Sequence, residues 1–123
     1  MKDKNIIEKI VFYIDKILRY CCEISYEDFS VTPQLIEACV FNLSQIGEHA
    51  QKIDDEFKAR HTDVPWKKLY GLRNRIIHDY EGINFLLIWT IIKDDLPKLK
   101  EQLAAIEGVT IHTPQSNLEA KKT

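Results

Sequence analysis

Cysteine is scarce in this chain. There are three, Cys21, Cys22 and Cys39, in 123 residues. An odd count with two adjacent residues is no disulfide framework, and no Cys-x-x-Cys pair offers a zinc clamp. A basic excess is also missing: 17 Lys and Arg stand against 19 Asp and Glu, a formal charge of −2. That excludes a global positive field for nucleic acid, so any nucleic-acid face must be local. No apolar run reaches the roughly 18 residues that mark a membrane span, and no leader pairs a basic start with an apolar stretch and a cleavage site. The expectation is a soluble cytoplasmic protein with no membrane partner. Strand alternation and internal repeats are absent as well.

What is present is helical periodicity. Hydrophobic residues make up 45% of the chain, enough for one domain with a core. Four segments repeat apolar residues at spacings of three and four. The first runs from Asn5 to Cys22, with Ile6, Ile10, Ile14, Ile17, Leu18 and Cys21 as its stripe and Lys9, Asp15, Lys16 and Arg19 outside it. "SYEDFSVTP" breaks the pattern. Thr32 reads as an N-cap before Pro33, and a second helix extends to about Phe57 along Leu35, Cys39, Leu43, Ile46, Ala50 and Ile53. Pro65 opens the third, with Trp66, Leu69, Leu72, Ile76 and Ile77, and Gly82 can close it in a left-handed cap. Asn84 caps the fourth, whose start, "FLLIWTII", is apolar nearly all round, which suits a central position or a partner subunit. Pro97 should kink or split it. The fold class is all-α: a four- to five-helix up-down bundle over residues 1–107, with a polar tail over 108–123.

The chemistry concentrates in "YGLRNRIIHDYEG", Tyr70 to Gly82. At roughly 100° per residue, Arg73, Ile77 and Tyr80 share one line of a helix and Asn74 and His78 a neighbouring one. Arg73 and His78 are five apart, roughly 140° round the axis. They diverge on a straight helix. Either the helix loosens near His78, or two copies of the strip face each other and complete a site between chains. The residue types suit phosphodiester chemistry. Histidine exchanges protons near neutral pH, and arginine holds a phosphate with paired hydrogen bonds. Asn74 can orient either. RNA carries its own nucleophile, the 2′-hydroxyl, so such a site needs no metal and no cofactor. Arg75, Lys67 and Lys68 are candidate RNA contacts. The same composition also fits a solvated outer face, and the residues alone leave both readings open. His49 beside Glu48, His61 in a break and His112 in the tail suggest no metal site. Cys39 fits the core, and Trp66 and Trp89 are packing anchors.

Arg73, four residues, His78, one residue, Tyr80 resembles the R-x-x-x-x-H-x-Y signature of HEPN-domain toxins of the HepT type. These are partners of minimal nucleotidyltransferase antitoxins. The resemblance runs from about Lys4 to Ile106 and includes "IGEHAQKI", "VPW", "GLRNRIIHDY" and "DDLPKL". It implies an all-helical homodimer and a metal-independent endoribonuclease whose Arg and His meet between subunits. Carried over, Arg73 holds the phosphate, His78 is the acid–base residue and Asn74 supports them. Tyr80 takes the place of the tyrosine that the antitoxin modifies with AMP, which would put bulk and charge in the cleft. The alternative is a non-catalytic helical adaptor that binds and regulates a nucleotidyltransferase or a nucleotide, its Arg–His strip holding phosphate without cutting it.

Overall fold

Isoleucine spacing builds the first long helix. In α1 (Lys2–Cys21), Ile7, Ile10, Val11, Ile14, Ile17 and Cys21 are fully buried along one stripe. Each such side chain contributes roughly 1.5–3 kcal/mol on leaving water. The stripe is turned slightly from the expected one: Ile7 and Val11 lie in the core, while Ile6 and Leu18 are only half-buried. Asp15, expected outside, is buried too. A computed structural model describes residues 2–78 and 84–109 and, for Arg73, Ile76, Ile77 and His78, the backbone only. Gly82 and nearly all of the tail lie outside the described residues.

The break after α1 is itself structured. Ser25 accepts a hydrogen bond from the Asp28 N–H at 3.1 Å and starts a five-residue helix, α2 (Tyr26–Ser30), which buries Phe29. Pro33 opens α3 (Pro33–Gln51) as expected. Thr32 sits at the N-cap but gives no side-chain cap; its hydroxyl donates back to the Asp28 carbonyl at 2.6 Å. α3 stops at Gln51, short of the expected Phe57. The chain turns through Lys52–Asp54 and re-enters a one-and-a-half-turn helix, α4 (Asp55–Arg60). Ile53 and Phe57 continue the apolar spacing because both still face the core, from separate elements.

The third rod is α5 (Trp66–His78). The fourth is a compound helix: α6 (Phe85–Thr90), a π-helical turn over Ile91–Asp95, and α7 (Leu96–Ala104). Asn84 caps α6 as expected, accepting from the Leu87 N–H at 3.0 Å. Pro97 does not split the rod. The helix widens just before it, the Leu96 N–H reaching back to the Ile91 carbonyl, and Pro97 enters in the first turn of α7. A π turn is a known way to accommodate such an irregularity.

Cross-links set the direction of each rod. Lys2 Nζ meets Asp54 at 3.4 Å and Cys21 Sγ meets Cys39 Sγ at 3.7 Å, so α1 and α3 are antiparallel. Lys93 Nζ donates to the Cys21 carbonyl at 2.7 Å and Lys100 pairs with Asp15 at 2.7 Å, so α7 runs back along α1. Gln102 Nε2 donates to the Asp63 carbonyl at 2.8 Å, which places the start of α5 beside the end of α7. The result is up-down-up-down, with α3 packed on both α1 and α5. The last turn of α5 therefore lies at the end of the bundle that holds Cys21, Cys39 and α2.

Candidate active site on the third long helix

α5 begins because Pro65 precedes it and Trp66 anchors it. Trp66 is buried, and its indole N–H donates to the His61 carbonyl at 2.9 Å. Leu69 and Leu72 follow on the same face and enter the core. With that face committed, Asn74 and Arg75 are left exposed. Lys58 Nζ covers the Tyr70 ring at 4.5 Å from its centroid, which braces α4 against the first half of α5.

Arg73, Asn74 and His78 all belong to this helix, and it stays α-helical through His78. The backbone up to His78 therefore does not loosen. From Arg73 to His78 the axis advances about 7.5 Å and turns roughly 140°, so the two positions fall on different sides of the helix. Tyr80 lies outside the described residues, as do the side chains of Arg73 and His78.

The expected RNA contacts separate. Lys68 and Arg75 line one groove between α5 and α7, where Lys98 joins them above an apolar floor that includes Leu69, Leu72 and Leu99. Asp63 and Asp95 also stand on this groove. Lys67 lies elsewhere, in a shallow depression with Trp66 and Tyr70. Lys98 was not singled out by the sequence, because its partners are thirty and twenty-three positions away and no local pattern joins them.

Other candidates settle as packing. His49 is buried, its Nδ1 is 2.8 Å from the Gln45 carbonyl, and its ring lies 5.3 Å from that of Tyr13. His61 stacks at 4.5 Å on Phe57. Trp89 packs on Phe29 at 5.1 Å with the Lys93 ammonium 4.7 Å from its ring centroid. Asn42 is buried on α3; its amide donates to the Ala38 carbonyl at 2.7 Å, and its Oδ1 has no partner among the described residues. No helix of the described residues is long and apolar enough to cross a membrane.

A family model described as ribonuclease HepT-like matches residues 10–106, which takes in the whole of α5 and the motif up to Tyr80. The chain belongs to this family. Curated relatives agree in extent. A protein of Caldanaerobacter subterraneus subsp. tengcongensis, provisionally named an RNase, is 36% identical over 84% of this chain and 88% of its own. One of Methanocaldococcus jannaschii, named in the same way, is 32% identical over 84% of this chain and 94% of its own. A third, of Thermococcus cleftensis, provisionally named ribonuclease HepT, is 33% identical over 79% of this chain and 88% of its own. No solved structure matches the chain. The HepT-like family assignment and the all-α bundle are mutually consistent. The family match begins inside α1 and ends at Ile106, just beyond α7.

Proposed function

We propose that this chain is a metal-independent endoribonuclease, the toxin of a two-component module, acting through Arg73 and His78 of two facing copies. The observation that carries the reading is the intact Arg73–His78–Tyr80 sequence motif of a HepT-like chain, with Arg73 and His78 both on α5. RNA is the substrate class because its 2′-hydroxyl can attack the adjacent phosphorus. His78 accepts that proton. The P–O5′ bond breaks, and the leaving oxygen takes a proton from the imidazolium so formed or from water. Arg73 holds the non-bridging oxygens as negative charge develops, and Asn74, exposed one residue on, orients substrate or imidazole. Lys68 and Arg75 offer charge to flanking phosphates, and Lys67 a more distant contact.

Control is assigned to Tyr80. A minimal nucleotidyltransferase antitoxin transfers AMP from ATP: the phenol oxygen attacks the α-phosphorus, pyrophosphate leaves, and the phenol proton is lost. The added nucleotide places a negative charge where RNA must enter.

Two experiments test this. Purified protein incubated with RNA in excess chelator is expected to cut it, and Arg73→Ala and His78→Ala each to slow cutting by about 10²–10⁴-fold. Cleavage that survives both substitutions would place the chemistry elsewhere; no cleavage by the unmodified wild type would favour the adaptor reading. Intact mass after incubation with the nucleotidyltransferase and ATP should rise by whole AMP units in wild type and not in Tyr80→Phe.

A further inference from the structure

Two thiols that the sequence separates meet inside the bundle. Cys21 is the last residue of α1, Cys39 lies in the second turn of α3, and their sulfurs are 3.7 Å apart, both fully buried. A disulfide needs about 2.05 Å, so the sulfurs must approach by roughly 1.7 Å. The third cysteine takes no part: the exposed Cys22 thiol donates to the Arg19 carbonyl at 3.4 Å.

The surroundings make the pair unequal. The Cys39 hydrogen bond draws the Cys21 thiol below its ordinary pKa, burial opposes this, and the Lys93 charge adds to the lowering. The same bond, together with burial, pushes the Cys39 thiol far up. Lys93 is fixed at this spot, its Nζ donating to the Cys21 carbonyl at 2.7 Å. The ammonium fixed beside Cys21 favours that sulfur as the thiolate that attacks first.

We propose that Cys21 and Cys39 are a redox-active dithiol, oxidised by hydrogen peroxide or a small hydroperoxide to an intramolecular disulfide that joins α1 to α3. In the first step the Cys21 thiolate attacks one peroxide oxygen. The O–O bond breaks, leaving a sulfenic acid on Cys21 and hydroxide from hydrogen peroxide, or an alkoxide from an organic hydroperoxide, which takes a proton to become water or the alcohol. In the second, the Cys39 sulfur attacks the Cys21 sulfur and the S–O bond breaks. The departing hydroxide takes the Cys39 proton and leaves as water. The two thiols lose two electrons and the peroxide gains them. A small oxidant suits the site, because Cys21 ends its helix beside an exposed residue, so local opening of one turn exposes it. The bond would tie down the end of the bundle toward which α5 carries the motif.

The test uses the full chain, folded and reduced. It is exposed to hydrogen peroxide, then denatured and alkylated, and its intact mass and peptide map are read. Before oxidation three thiols alkylate. Afterwards one should, at Cys22, with a loss of two hydrogens and a peptide linking Cys21 to Cys39. Cys22→Ser, an exposed change that leaves the core untouched, should form the same link and retain no free thiol. Cys21 and Cys39 both alkylating after Cys22 has been oxidised would overturn the proposal. So would a link that runs through Cys22, or one that forms only in unfolded chain.

Discussion

Lys100 and Lys2 each reach an aspartate, and burial makes the two pairs unequal. Lys100 Nζ lies 2.7 Å from an Asp15 side chain that is only 5% exposed, and its own side chain is 29% exposed. Lys2 and Asp54 meet at 3.4 Å with 66% and 63% exposure. Removing the first cation leaves a buried carboxylate without the ammonium it pairs with, whereas water screens the second pair. Lys100→Met should lower unfolding free energy by about 2 kcal/mol, discounted for the half-open ammonium, and Lys2→Met by less than about 0.5 kcal/mol. Urea unfolding of both variants checks this, and equal midpoints would refute the ranking. Asp15 also shows where reading by residue stops. A charged residue beside an apolar stripe is assigned outward, and only the approach of α7, eighty-five positions on, supplies the cation that lets it turn in. Cys39 was legible as core because its own type and spacing sufficed; its partnership with Cys21 was not.

Pro97 carries the corresponding lesson for a whole element. In an unbroken α-helix an interior proline costs about 3 kcal/mol, through a lost hydrogen bond and a clash with the preceding turn. Here the π turn over Ile91–Asp95 has already moved the backbone before Pro97 enters α7. Pro97→Ala should therefore change stability by less than about 1 kcal/mol, a measurement that thermal or urea unfolding provides. A gain near 3 kcal/mol would mean that the turn does not relieve the proline. The sequence marked the irregularity but not its form, since a kink, a break and a widened turn share one signature. The short helices escaped for a different reason. α2 and α4 have five and six residues, too few to show a period. The start of α2 did carry a local mark, Ser25 three residues before Asp28, and the overlong second helix followed from Ile53 and Phe57 keeping α3's spacing across a turn.

At the scale of the whole molecule, the question is whether one chain suffices for chemistry. α5 remains helical through His78, so Arg73 and His78 diverge, and the proposed site needs a second copy with its strip reversed. Two-fold symmetry gives this a quantitative form. Co-expressed Arg73→Ala and His78→Ala chains, free to pair at random, form mixed dimers in about half of cases. If each site takes its arginine from one chain and its histidine from the other, a mixed dimer has one site with both residues intact and one with neither. Activity should then return to about a quarter of wild type, although either variant alone is inactive. If both residues act within a chain, every site in the mixed dimer lacks one of them and nothing returns. Tagging the two variants differently and purifying the mixed dimer sharpens the expectation to about half of wild type per dimer. Recovery would establish the shared site; none, with mixed dimers in hand, would assign Arg73 and His78 to one chain and require its helix to bring them together beyond the α-helical turn at His78.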